Sequence, residues 1–296
     1  MVVCGAVGWA GWWLWSQSGA AAVVRDGSPN WSPDSRHLIF ASEQGGKADL
    51  YVTDLTGGNR QQIGQQDPTP ADDGGAAYSP AGDRIAFQSD RDGDFEIYVM
   101  KADGKTAPRP LTDHPGIDQA PAWSRDGKQI VFMSNRDNPD FDIFRMNADG
   151  TNVERLTSGG ANGYPEYSPD GGQLALHVKR DVYIMNLTTR GLRRLTLEPD
   201  NGMHPTWDPF GRRIAFMSWR NGRTEIFTSN ADGQEPQVVV TMPSGDAVDP
   251  RWSPDGRYIA FVHLPHGGLT RAQQATPQRI VYIVELSSGR LTRISR

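Results

Sequence analysis

Trp123-Ser124-Arg125-Asp126-Gly127-Lys128-Gln129-Ile130-Val131-Phe132-Met133-Ser134 opens on an aromatic residue, passes through a polar turn and ends in an apolar strand. Gly127 tolerates the positive φ that such a tight turn requires. The same phrase returns at Trp31-Ser32-Pro33-Asp34, Tyr78-Ser79-Pro80, Tyr167-Ser168-Pro169-Asp170-Gly171, Trp207-Asp208-Pro209 and Trp252-Ser253-Pro254-Asp255-Gly256. Its leading aromatics stand 47, 45, 44, 40 and 45 residues apart, a period that marks propeller blades when the runs inside it are β-rich.

Outward from Trp123, four short β-rich runs fit one period: Ala120 to Trp123, Gln129 to Ser134, Asp142 to Met146 and Val153 to Leu156. Asn147-Ala148-Asp149-Gly150 separates the last two and is matched by Lys101-Ala102-Asp103-Gly104 and Asn230-Ala231-Asp232-Gly233. Endings in Asp-Gly are hairpin signals. The pattern therefore predicts an all-β chain, a six-bladed β-propeller of four-stranded antiparallel blades at about 26–66, 67–113, 114–158, 159–197, 198–242 and 243–296. Stacked blades cover each other's faces, and a closed ring removes most sheet edges. The 33 Gly suit a turn-dense fold, and the 9 Trp suit aromatics wedged between blades. Closure within each repeat is expected, Gly289 to Ser295 forming the last strand and Ala20 to Arg25 an auxiliary one; that segment as a latch on blade six is the alternative.

The phrase Trp-Ser-Pro-Asp-Gly, the strand Ile-Ala-Phe, the following Ser-x-Arg, then Glu-Ile-Tyr and Ala-Asp-Gly resemble the WD-repeat-like propeller repeats of the TolB family. The fullest matches are Ser79 to Gly104, Ser124 to Gly150 and Asp208 to Gly233, and the resemblance covers about residues 28 to 296. It implies a periplasmic, envelope-associated propeller that binds a protein or peptide partner. Family members carry an α/β domain ahead of the propeller, where this chain has some thirty residues.

No charged side chain occurs before Arg25, and Val2 to Trp15 is dominated by Val, Ala, Gly, Leu and Trp. Residues 1–24 read as an export signal, with Ala20-Ala21-Ala22 as a cleavage site, or as a retained membrane anchor. The missing basic n-region points to a start upstream of Met1. Location is expected to be periplasmic or secreted, and the propeller monomeric. Cys4 is the only cysteine, so no intramolecular disulfide forms. A net charge of -5 with no basic run argues against nucleic acid.

Binding chemistry is expected where the repeat breaks, because a residue that recurs in several blades has a fold duty. Arg91, Arg136 and Arg220 follow a Ser at the same spacing, and Glu96, Asp142 and Glu225 precede the third strand; these read as braces. Five residues before each aromatic stand Asp26, Asp73, Asp118, Asn162, Gly202 and Ala247. Three before stand Ser28, Gly75, Ala120, Tyr164, His204 and Asp249. Asp26, Asp73, Asp118 and Asn162 predict an arc of oxygen ligands suited to a hard cation such as Ca2+ or to a basic peptide, with the first three as ion ligands. The alternative is that each carboxylate serves its own turn. Tyr164, His204, Asp246 and Asp249 are channel-mouth candidates, and the long connection His263 to Gln278 adds His263 and His266. Neither Gly-x-Ser-x-Gly nor His-Glu-x-x-His is present, so a non-catalytic binding scaffold is the favoured reading. A carbohydrate-active propeller, lyase or hydrolase, built on His114, His204 and Asp249 is the alternative.

Overall fold

The computed structural model describes residues 25–43, 46–64, 69–196, 201–220, 222–265 and 278–295. They form six four-stranded antiparallel sheets, and in each the strands pair in chain order. In blade three, for example, Asp118–Trp123 is the inner strand, followed outward by Gln129–Ser134, Asp142–Asn147 and Glu154–Arg155. No helix occurs among the described residues, and none there is long and apolar enough to cross a membrane.

Each sheet is apolar on both faces, so the core is six wedges between neighbouring blades. At the junction of blades two and three, Ala77, Ile97 and Val99 pack on Trp123, Ile130, Phe132 and Phe144. The junction of blades six and one is built alike, from Ala260, Val281, Ile283 and Ile294 against Trp31, Leu38 and Phe40. Burying each of these large side chains contributes roughly 1.5–3 kcal/mol.

Polar contacts repeat around the ring in the same register. The Trp123 indole donates to Ala77 O at 3.1 Å, and the Trp31 indole donates to Arg251 O at 2.9 Å. The residue five before the aromatic donates its amide to the preceding blade in five junctions: Asp73 to Ala48 O, Asp118 to Phe95 O, Asn162 to Phe141 O, Gly202 to Arg180 O and Asp26 to Arg279 O. Outside, the glycine of the third turn touches the previous blade in four blades, at Gly57, Gly104, Gly150 and Gly233. A Cβ on Gly150 would lie 2.6 Å from Leu111 O, and one on Gly57 only 2.2 Å from Ile294 O. Closure is thus by packing of blades that are each complete in sequence. Arg25 pairs with Glu43 inside blade one, so it is not a latch on blade six. The rest of the segment read as a latch, and the apolar residues 1–24, lie outside the described residues.

Candidate functional site

Every inner strand carries a β-bulge three residues before its aromatic. The register shifts between Gly27 and Asn30, Gly74 and Ala77, Gly163 and Glu166, Met203 and Thr206, and Val248 and Arg251, and blade three shifts at the same place. The bulged residues are Ser28, Gly75, Ala120, Tyr164, His204 and Asp249, all with φ between 49° and 58°. Five of the six are not glycine, so the backbone holds an unfavourable conformation at a fixed place in nearly every blade. Proline follows in all but blade two. Bulges re-aim side chains, and here they bring Ser28, Gly75, Ala120 and Tyr164 to the wall of a central cavity of about 600 Å³, which extends to the Ser-Pro turns.

The six positions are unequal. Blades one to three supply Ser28, Gly75 and Ala120, whereas blades four to six supply Tyr164, His204 and Asp249. Because Gly75 has no side chain, Gln88 from the second strand occupies its place, and its Oε1 accepts the Ala120 amide at 3.1 Å. On the opposite side the Tyr164 ring stacks on His204 at 3.5 Å between centroids, and His177 lies 5.7 Å from His204 with its ring nearly parallel. His204 Nδ1 is hydrogen-bonded to the Asp249 carboxylate. Burial works against ionising Asp249, but the His204 imidazole and the Arg251 and Arg279 guanidiniums hold its pKa below the usual carboxylate range. Burial, assisted by His204, pushes His177 down to about 3, so that imidazole is neutral at physiological pH.

The residues five before the aromatic do not reach the cavity wall. Asp73 is buried and takes both its bonds from the Arg91 guanidinium, at 3.1 Å each. Asp118 accepts Arg136 at 2.5 Å, Asp26 lies 3.7 Å from Arg60, and Asn162 donates to Asp142 at 2.8 Å. The expected arc of cation ligands is therefore not assembled: three of its members each face an arginine within their own blade, and the guanidinium supplies the positive charge an ion would bring. Among the described residues no three His, Cys, Asp or Glu side chains converge to hold a metal.

Of the other candidates, Asp246 accepts the Thr224 amide at 2.6 Å and ties blade six to the blade-five hairpin. His263 is buried, bonded through Nε2 to Ser244 O at 2.7 Å and set edge-on to Tyr282. His266, and most of the long connection, lie outside the described residues. His114 is bound through its backbone amide to Glu96 between blades two and three, and no contact joins it to His204 or Asp249.

Two charged residues on the cavity wall escape the reading from sequence. Glu166 accepts bonds from Thr206 Oγ1 and the Trp207 amide, both at 3.2 Å; burial pushes its pKa up, against the pull of Arg251. Glu166 and Arg251 stand one residue before their aromatics and line the cavity. Alternation along a strand places that position beside the bulge, so the same counting applied there finds them.

Comparison with known proteins agrees with this geometry. A family described as TolB beta propeller domain matches residues 27–162 and 157–292. An uncharacterized protein of Agrobacterium fabrum is 30% identical over 213 residues, 65% of each chain. The Tol-Pal system protein TolB of Francisella tularensis subsp. mediasiatica is 32% identical over 152 residues, 48% of this chain and 34% of that protein. The chain thus spans from about a third to two thirds of the curated relatives' length. The crystal structure of TolB from Acinetobacter baumannii superposes with a TM-score of 0.67 at 18% identity, over 91% of this chain and 62% of that one, a likeness of fold. With the family model matched across nearly the whole ring, the chain belongs to the TolB beta propeller domain family.

Proposed function

We propose that this protein is a non-catalytic propeller of the cell envelope, periplasmic or secreted, whose channel holds a protein or peptide partner. The supporting observation is the set of bulges. Unfavourable backbone conformations cluster where a structure serves a ligand, and here they recur at six unlike residues, four of which, Ser28, Gly75, Ala120 and Tyr164, line one 600 Å³ cavity. Tyr164, Glu166 and Arg251 give one half of the wall aromatic and charged groups, with His204 stacked on Tyr164 and bonded to Asp249, while Ser28, Gly75 and Ala120 leave room on the other. Rigid aromatic and arginine groups are those that carry binding energy at protein interfaces. Kinship with TolB of the Tol-Pal system points the same way.

A photo-crosslinking residue at Tyr164, compared with one at Val238 on the outer strand of blade five, tests this in the native envelope. Adducts to a discrete protein from position 164 and none from 238 are expected. Equal labelling at both positions, or none at 164, refutes the channel as the binding site. The pairing of His204 with Asp249 is the one observation that favours the carbohydrate-active alternative. That reading requires turnover of an oligosaccharide that His204→Ala abolishes.

A further inference from the structure

Glu96, first residue of the third strand of blade two, and Asp118, first residue of the inner strand of blade three, are both buried where those blades meet. Their hydrogen-bond donors can be counted. Asp118 Oδ2 accepts Arg136 at 2.5 Å. Glu96 Oε1 accepts the His114 amide at 2.6 Å, and Glu96 Oε2 accepts the Thr112 hydroxyl. Thr112 has one hydroxyl hydrogen, so it serves one carboxylate. The Ser134 hydroxyl, which accepts from the Arg136 amide and Nε, has one hydrogen to give Asp118, yet Asp118 Oδ1 is still buried without a donor, and the Glu96 carboxyl is the remaining group within reach that can supply one. Two buried carboxylates facing one guanidinium also leave uncompensated negative charge. A hydrogen on Glu96 removes both deficits.

The next junction provides an internal comparison. Asp142 starts the third strand of blade three as Glu96 does in blade two, and Thr157 donates to it at 3.0 Å as Thr112 donates to Glu96. In the place of Asp118 stands Asn162, whose amide donates to Asp142 Oδ1 at 2.8 Å. An amide hydrogen there does what a carboxylic hydrogen must do at the junction of blades two and three.

We propose that this junction binds one structural proton, held on Glu96 against Asp118, and that its release above neutral pH loosens the inner strand of blade three at the channel wall. The other groups facing the pair are few. Tyr98, on Glu96's own strand, bonds Asp92 and lies under Arg91, whose guanidinium is 4.9 Å from the ring. The connection brings Thr112 and His114, whose Nδ1 is buried without a partner, and blade three brings Asp118 and Arg136. Burial first, then Asp118, push Glu96 up to about 7, against the bonds from Thr112 and His114. The raised folded value fixes the sign: the stabilising proton is fully held below about pH 4.5, and its contribution is lost as pH rises through about 7. Ala120, two residues beyond Asp118, lines the cavity, so the change is felt there.

Carboxyl 13C NMR of the full chain from pH 4.5 to 8.5, assigned through the Glu96 backbone, measures the titration directly. Amide exchange at Asp118 and Asn162, which make equivalent bonds of 2.6 and 2.9 Å to the preceding blade, measures the consequence. A Glu96 midpoint above pH 6 is expected, with protection at Asp118 falling about tenfold for each pH unit beyond it while Asn162 stays constant. Glu96→Gln, which supplies an amide donor, should abolish that fall. A midpoint at or below pH 6, or equal pH dependence at the two amides, overturns the proposal even where the variant fails to fold.

Discussion

Arg91 is held by a serine behind it, by two bonds to the buried Asp73 in front and by the rings of Phe87 and Tyr98 beneath. Arg136 repeats the arrangement on Phe132 and Phe144 with Asp118. Blade one has Gln44 where the arginine would stand and takes its guanidinium from Arg60, which bonds Ser42 at 2.5 Å and covers Tyr51. Removing the arginine strands a buried carboxylate, so Arg91→Ala should lower unfolding free energy by about 3–5 kcal/mol in urea titration. Arg91→Lys should recover only part of that, because an ammonium cannot reproduce the forked contact. The recurring Ser-x-Arg was legible as a brace. Its partners were not, because a linear register shows that Asp26, Asp73 and Asp118 are equivalent without showing which way they face. Asp249 gives a residue-level pH effect of opposite sign to Glu96. Its depressed pKa means that its stabilisation is present above about pH 4 and is lost on acidification. Wild type should therefore lose Tm below pH 4 more steeply than Asp249→Asn in thermal scans.

At the scale of the strand and turn, the phrase around each aromatic was sufficient to find the inner and second strands, since Trp123 and Ile130 pair directly across the turn. The bulge was hidden. Ser, Gly, Ala, Tyr, His and Asp share no composition, and the local clue is a proline after five of them. Only a backbone shows that one conformation underlies six unlike residues. The outer turns can be tested by comparing two glycines, both at positive φ. Gly46→Ala meets nothing within 4 Å and should cost about 1–2 kcal/mol of backbone strain. Gly57→Ala drives a methyl into Ile294 O as well, so its loss in denaturant titration should be clearly larger.

Over the whole molecule the count of blades and their order followed from period and turn chemistry. Closure within each repeat was the expected mode and is the one observed, but the sequence left a latch open beside it, because the apolar strand residues are the same in either case. Since each blade is complete in sequence, the ring tolerates a change in where the chain begins. A permutant opened at the exposed Ser158 and Gly159, with a flexible linker joining Ser295 to Asp26, should keep its β-sheet circular dichroism and melt within ~5 °C of wild type. Loss of folding would show that the junction of blades six and one has a special role.

That junction differs from the other five in one respect. Elsewhere a backbone connection ties each sheet to its successor; here only non-covalent contacts do so, the apolar wedge around Trp31 and Ile294, the Trp31 bond to Arg251 O and the close approach of Gly57 to Ile294 O. A pull on the two flanking segments of the chain is therefore borne first by this seam, and not by a peptide link. Under load the propeller is expected to act as a clasp, parting first along this line while the covalently connected blades stay stacked.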